Sequence, residues 1–278
     1  MSELAFYESP QTQAKIYEIF REYFDRAEKN RRWSLVEDIP WDQANPNTDP
    51  ALADIIQTFC MVELYLPDYV SKLIPQVRAH RGRAWMLANW GYEESKHSMA
   101  FCDWLLRSKL RSDEQMTDII NTTLSHEWHL PHDNSRAMLA YTTFQELATQ
   151  LNYRNLRRIL AGKCPALDKV LLLIAVDEAA HADFFRKIIQ LHLEEDRDAT
   201  LEALRQVVNA FQMPAVHMFV DGIQRKAAIR EMRVFSEDIY VYEVFEPLMQ
   251  KMGIQKSELR RRAKREWGAV PAGVPSKA

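Results

Sequence analysis

Cysteine is scarce in this chain and carries no pattern. Cys60, Cys102 and Cys164 are odd in number, far apart and form no C-x-x-C pair. They exclude a disulfide scaffold and point to a reducing compartment. Glycine occurs 7 times and proline 12 times in 278 residues, and the long stretches free of both favour helices. No glycine-rich phosphate loop or dinucleotide fingerprint is present. A basic excess is also missing. The formal net charge of −3 argues against a general nucleic-acid binder, which must neutralise phosphates. The best apolar run, Val170 to Val176, stops at Asp177-Glu178 and is too short to span a bilayer. The N-terminus, MSELAFYESP, has no cationic start followed by an apolar run. No secretory signal is therefore visible, and a cytoplasmic location is expected.

What is present is ordinary in bulk and regular in pattern. Hydrophobic residues make up 47% and charged residues 27% of the chain, enough for a substantial core. The spacing predicts an N-terminal helix from Gln11 to Arg32, then a Pro-, Asn- and Asp-rich loop from Asp38 to Pro50. Four long helices follow, near 51–77, 83–109, 134–161 and 166–194. One or two more cover 198–232, and shorter ones cover 236–252 and 255–267. The expected class is all-α.

Each central helix carries an apolar stripe with acidic or imidazole groups embedded in it. The stripes include Ile56, Cys60, Glu63 and Val70; Trp90, Glu94, His97 and Phe101; Thr142, Glu146, Thr149 and Tyr153; and Ile174, Glu178, His181 and Phe185. One unit is thus written twice: a lone Glu, then Glu-x-x-His at 31 residues in one copy and 32 in the other. No other Glu-x-x-His occurs in the chain. Residues three apart on a helix are about 60° apart in rotation, so each Glu and His converge on one point. A single such pair is commonly a solvated surface pair. Two copies, each preceded by a Glu in an apolar stripe, match the ligand recipe of a carboxylate-bridged di-iron site in a four-helix bundle.

Four carboxylates facing a bundle interior are unfavourable unless neutralised. Two divalent ions balance them. Oxygen-rich ligation with one imidazole per metal suits iron, or manganese as the alternative, better than zinc. Pro67 stands four residues after Glu63 and cannot donate to its carbonyl, so the helix should kink or loosen there. That kink either makes room for oxygen or is a bend set by the surface. His126, His129 and His132 read as a loop, His80 and His192 as surface. His217 lies in a later apolar helix, where it is a core residue or an additional metal ligand.

At Glu94-Ser-Lys-His97 and Asp177-Glu178-Ala-Ala-His181 the chain resembles the soluble acyl-carrier-protein desaturases. Glu63-Leu-Tyr-Leu-Pro67-Asp-Tyr69 is similar to that family's first ligand helix, and Thr143-Phe-Gln-Glu146-Leu-Ala-Thr149 to its third. The resemblance spans about residues 10–250. It implies a ferritin-like four-helix bundle core with additional flanking helices, usually dimeric, with an apolar tunnel passing two irons. Residues 1–267 would form that single di-iron domain, and 268–278 a disordered tail. Glu94 and Glu178 would bridge the metals, Glu63 and His97 would complete one, and Glu146 and His181 the other. Glu93 and Asp177 would each bond the far nitrogen of the opposite motif's histidine; read without the resemblance they are equally solvated helix residues. Thr149 would be the hydroxyl beside the oxygen site, or else a core threonine bonded back to its helix. Trp41 would stand between the surface and the metal by way of Asp177, or else anchor its loop.

The resemblance further implies O2-dependent desaturation of an acyl chain held on acyl carrier protein, with electrons from a ferredoxin-type donor. Both partners are acidic. Basic clusters at Arg154, Arg157 and Arg158, at Arg78, Arg81 and Arg83, and from Lys256 to Arg265 are the candidate docking surfaces. The motifs depart from the family's usual Glu-Glu-Asn-Arg-His-Gly and Asp-Glu-Lys-Arg-His-Glu. Lys96 and Ala180 stand where each has Arg, which puts partner recognition in question more than the metal. Two other classes stay open: a di-iron oxygenase acting on an amine, aldehyde or free acid, and a ferroxidase.

Overall fold

The computed structural model describes residues 8–215 and 218–259, and every regular element among them is helical. The first helix, α1 (Pro10–Asn30), starts where Ser9 accepts a hydrogen bond from the Thr12 amide, with proline at its first position. It buries Thr12, Ile16, Phe20 and Ala27 along one stripe. A 3-10 turn at Trp41–Gln43 lies in the polar loop that follows.

The pattern at 51–77 reads as one helix, but the structure divides it into α2 (Pro50–Glu63) and α3 (Leu66–Val77). Pro67 is the cause, since it has no N–H to offer the Glu63 carbonyl. The Tyr69 hydroxyl instead donates to the Val62 carbonyl at 3.0 Å, which satisfies one acceptor freed at the break. Glu63 is therefore the last residue of its helix, whereas the other candidate ligands lie inside uninterrupted ones.

Those helices are α4 (Arg81–Arg107), α6 (Ser135–Leu160) and α7 (Pro165–Glu195). Between α4 and α6 lies α5 (Asp113–Leu124), which the apolar periodicity did not reveal. Its signal was local: Ser112 and Gln115 form a reciprocal capping box. A tight turn through Ala161 and Gly162, with φ of 47° and 75°, folds α7 back along α6. Two apolar clusters fill the bundle. Along α4 one ends at Trp90 and the other begins at Ala100; along α7 one ends at Ala175 and the other begins at Phe184. Glu94, His97, Glu178 and His181 fall in the two gaps.

The flanking region has α8 (Arg197–Ala210) and α9 (Gly222–Glu231). The helix expected at 236–252 is composite. It runs through α10 (Glu237–Ile239), a π-helical stretch at Tyr240–Phe245, and α11 (Glu246–Lys251). The last described element is α12 (Lys256–Leu259); residues 260–267 of the helix expected at 255–267 lie outside the described residues. The expected tail at 268–278, like His217, lies outside the described residues. No helix among the described residues is long and apolar enough to cross a membrane.

The crossing of α1 over α4 depends on Gly82. A Cβ there would lie 2.8 Å from the Tyr17 backbone nitrogen and 2.9 Å from its Cα. Backbone cannot move aside as a side-chain tip can. Helix propensity alone favours Gly→Ala by about 1 kcal/mol. Gly82→Ala is nevertheless expected to destabilise by about 1–3 kcal/mol, the cost of overpacking. Chemical denaturation reads the sign directly.

Candidate metal centre

Six side chains from four helices meet between the apolar clusters, and all are buried: Glu63, Glu94, His97, Glu146, Glu178 and His181. They form two overlapping groups. In one, ligand atoms of Glu63, Glu94, His97 and Glu178 lie within 4.8 Å of one another. In the other, those of Glu94, Glu146, Glu178 and His181 do. Glu94 and Glu178 belong to both, which is the topology of two metals sharing two carboxylates. Among the described residues no other group of His, Cys, Asp and Glu meets this spacing.

Each histidine turns Nδ1 towards the carboxylates. His97 Nδ1 lies 3.3 Å from Glu94 and 3.4 Å from Glu178. His181 Nδ1 lies 3.1 Å from Glu94, 3.2 Å from Glu146 and 3.4 Å from Glu178. The Nε2 atoms point the other way. His181 Nε2 meets Glu93 at 2.8 Å and His97 Nε2 meets Asp177 at 3.4 Å. Each acidic residue that precedes one motif thus faces the histidine of the other. Such a carboxylate fixes the tautomer and leaves the inner nitrogen free to ligate. Glu63 accepts from the Tyr153 hydroxyl at 2.8 Å, and Glu146 from the Trp90 indole at 3.1 Å.

The donor set fits a pair of divalent ions. Four carboxylates and two imidazoles, with no thiolate, are hard, oxygen-rich ligation. Glu94 Oε1 and His97 Nδ1 are buried and find no hydrogen-bond partner, as expected of atoms aimed at a metal. The protonation pattern agrees. Burial, then the charges of Glu94 and Glu178, drives the Glu63 pKa well above the ordinary range. Burial and Glu178 do the same to Glu146. Burial disfavours charged His97 and His181, but the groups around them outweigh it, Glu94 foremost at His97 and Tyr23 then Glu146 at His181. Both imidazoles are raised. Without metal, protons hold the cluster together; a metal must displace them. Loading is therefore expected to release protons, and affinity to fall as the pH is lowered. Calorimetry in buffers of different ionisation enthalpy measures the release.

Sequence reasoning missed what holds Glu93 and Asp177. Arg31, just past the end of α1, spans both: Nη2 lies 2.9 Å from Glu93 and Nη1 bonds Asp177. Arg32 and the Tyr23 hydroxyl also bond Glu93. These partners overcome burial and hold both carboxyls below their usual range, through His181 and Arg31 at Glu93 and through His97 and Arg31 at Asp177. The tryptophan on Asp177 is Trp33, whose indole donates at 2.7 Å. Trp41 does not take that place. Its indole donates to the Leu35 carbonyl at 2.6 Å, so it anchors its own loop. The turn at Trp41–Gln43 also packs against α7, but only the Trp33 indole reaches Asp177.

Other expectations need correction. His80 and His192 are buried, not surface: Glu8 bonds His80 at 2.7 Å, His192 at 2.8 Å and Arg83 at 2.9 Å. Glu8 is remote in sequence from all three, so nothing local announced the cluster. Arg83 is thereby removed from any docking surface, and Arg81 stacks between Tyr17 and Trp85. Arg157 makes a two-pronged pair with Asp168 at 3.0 and 2.9 Å, while Arg154 is exposed. Of the basic run from Lys256, residues beyond 259 lie outside the described structure. His126 and His129 are exposed in the loop after α5, and His132 is half-buried.

Thr149 is buried and lines a cavity of about 480 Å³ that reaches Glu63, Tyr69, Asn152 and Tyr153. That volume lies within the roughly 300–1,000 Å³ usual for ligand sites. Thr142 and Thr143, by contrast, return their hydroxyls to the Met138 and Leu139 carbonyls.

Arg31→Met leaves two buried carboxylates without their shared cation. It is expected to cost about 3–5 kcal/mol of folding stability and about 10–100-fold in metal affinity. Arg31→Lys should recover only part, since an ammonium cannot bridge as a planar fork does. Denaturation and metal titration of the three proteins test this.

The fatty acid desaturase family model matches residues 48–270. DesA1 of Mycobacterium tuberculosis, assigned as an acyl-[acyl-carrier-protein] desaturase, is 24% identical over 252 residues, covering 82% of this chain and 73% of DesA1. The chloroplastic stearoyl-[acyl-carrier-protein] 9-desaturase of Olea europaea is 26% identical over 168 residues, 59% of this chain and 39% of that protein. Among solved structures, the acyl-ACP desaturase DesA2 of M. tuberculosis superposes with a TM-score of 0.65 at 16% identity, over 90% of this chain and 98% of that one. An R2-like ligand-binding oxidase with a Mn/Fe cofactor gives 0.57 at 16% identity, over 86% and 93%. Those two likenesses speak for a ferritin-like fold and no further. With its model matched over most of the sequence, the chain belongs to the fatty acid desaturase family.

Proposed function

We propose that this protein is a di-iron desaturase that inserts a double bond into a saturated acyl chain carried by acyl carrier protein. The observation that carries the proposal is the cavity wall. Phe59, Val62, Tyr69 and Phe235 line the same cavity as Glu63 and Thr149, so an alkyl chain held there would lie beside the ligand cluster. A compact ferroxidase has no use for such a space. Overall, two hydrogens from vicinal C–H bonds, two external electrons and two protons from solvent reduce O2 to two waters and leave a C=C bond.

Two iron ions, when bound, supply the oxygen activation and hydrogen removal. The chain's residues do the rest. Glu94 and Glu178 would be shared by the two metals, Glu63 and His97 would hold one of them, and Glu146 and His181 the other. Glu93 and Asp177 keep the two imidazoles facing inward. Thr149 presents a hydroxyl to the cavity beside the metals and handles protons there. The apolar wall excludes water and holds the chain in register. Trp33, Asp177 and His97 form a hydrogen-bonded line that ends at the candidate centre, and a ferredoxin-type donor delivers electrons along it. Trp85, Tyr92 and Met99, spaced by seven on α4, are 50%, 56% and 46% exposed. This stripe is the proposed homodimer face.

Aerobic incubation of iron-loaded protein with acyl carrier protein thioesters, a ferredoxin and a reductant tests the activity by product mass. Loss of two hydrogens is expected for some chain length. Gain of oxygen on a free acid, aldehyde or amine would instead make it another oxygenase, and iron oxidation with no organic product a ferroxidase. Glu146→Ala and His181→Ala should each reduce the metal content from two ions per chain to one. Full retention of both ions would refute the ligand assignment.

A further inference from the structure

The loop after α1 leaves a buried tryptophan beside the candidate centre, and α4 sets a positive charge on its ring. Trp33 is 6% exposed and donates its indole N–H to Asp177 at 2.7 Å. Asp177 in turn faces His97 Nε2 at 3.4 Å. A carboxylate on the indole nitrogen favours positive charge on the ring and stands ready to take its proton. Taken alone, that makes Trp33 an easily oxidised residue next to the place where the proposed reaction reduces O2. Lys96 opposes this. Its ammonium lies 4.4 Å from the centre of the Trp33 ring and 5.2 Å from that of Tyr92, and the residue is only 5% exposed. Among the described residues Lys96 forms no ion pair, and its one hydrogen bond goes to the Trp33 carbonyl at 3.3 Å. Burying an ammonium without a direct counter-ion is unfavourable, and the two ring faces are what it gains.

We propose that Lys96 keeps Trp33 from being oxidised, so that the ring passes electrons inward without itself becoming their source. Oxidation of Trp33 would send one electron to the oxygen-oxidised metal pair and one proton to Asp177. It would leave a neutral indolyl radical open to attack by O2. An ammonium over the ring face attracts the intact π-system and repels the positive charge that forms as the electron departs. Arg31 bonds Asp177 but lies over Tyr23; Lys96 is the cation on the Trp33 ring. Lys96 is a positioning residue in this scheme, since it touches neither substrate nor ligand cluster. The role rests on the desaturase reading above for the source of the oxidant.

The test uses full-length protein loaded with zinc, which supplies the same charge at the centre and no redox chemistry. A photogenerated ruthenium(III) polypyridyl complex serves as the one-electron oxidant. Peptide mass spectrometry then scores oxygen added at Trp33, with the buried Trp90 as internal reference. Two neutral variants, Lys96→Met and Lys96→Gln, are expected to raise the Trp33 yield at least about tenfold over wild type. Lys96→Arg, which keeps a cation able to lie on the ring, should stay within about threefold. Trp90 should not change in any of them. An unchanged Trp33 yield in both neutral variants would overturn the proposal. So would an equal rise in Lys96→Arg, or a matching rise at Trp90, since either makes Lys96 a packing residue. Desaturation is scored separately on iron-loaded wild type. Product formed without a Lys96 effect removes the role of Lys96 alone; a Lys96 effect without product removes the function and keeps the protection of Trp33.

Discussion

Six carboxylates inside an apolar bundle must be neutralised, and the rest of the molecule is arranged around that requirement. Glu63, Glu94, Glu146 and Glu178 face the bundle centre, with Glu93 and Asp177 directly behind the histidines. Two divalent ions would offset the inner four. Arg31 and Arg32 offset the outer two. Either half alone leaves uncompensated charge at low dielectric, which is far costlier than any single contact here contributes. Metal and clamp are therefore parts of one electrostatic unit. This explains why α1, which offers no ligand, is fixed tightly across α4 at Gly82 and ends on Arg31.

How much of this was legible follows from which interactions are local. The Glu-x-x-His pairs are set by helical rotation, and the stripes around Glu63 and Glu146 by the same period, so the sequence announces that six groups converge. The interruption after Glu63 was legible too, because proline's missing N–H acts within one turn. The clamp was not. Arg31 lies 62 residues from Glu93 and 146 from Asp177, and an Arg-Arg-Trp run after a helix looks like solvated surface. Glu8 hid its cluster in the same way, since only folding brings it to His80 and His192. Trp41 and Trp33 show the limit most clearly. Two tryptophans occupy one loop region, and the path of the loop decides which indole reaches Asp177.

The departures in the two motifs gain meaning from the clamp. Where the family pattern has arginine before each histidine, this chain has Lys96 and Ala180. Lys96 turns aside, with its ammonium 4.4 Å from the centre of the Trp33 ring and 3.3 Å from the Trp33 carbonyl. Ala180 has no polar group to give and lines an open groove between α1 and α7 beside Arg31. The guanidinium that pairs with Glu93 and Asp177 comes from another element altogether.

The same logic separates rigid from adaptable parts. Glu94, His97, Glu146, Glu178 and His181 sit inside long uninterrupted helices, where backbone hydrogen bonds on both sides fix their positions. Glu63 alone is at a helix end, next to a break, and its carboxylate is held by the Tyr153 hydroxyl rather than by a charged partner. The opposite wall of the cavity is irregular as well, where the π-helical stretch begins at Tyr240. Non-α geometry inside helices is weakly determined and tends to mark places where a ligand must be admitted. The centre is thus rigid on the side that sets charge and geometry. It is loosened on the one side where the proposed reaction would bring oxygen and an alkyl chain, and Glu63 is the candidate ligand placed to yield there.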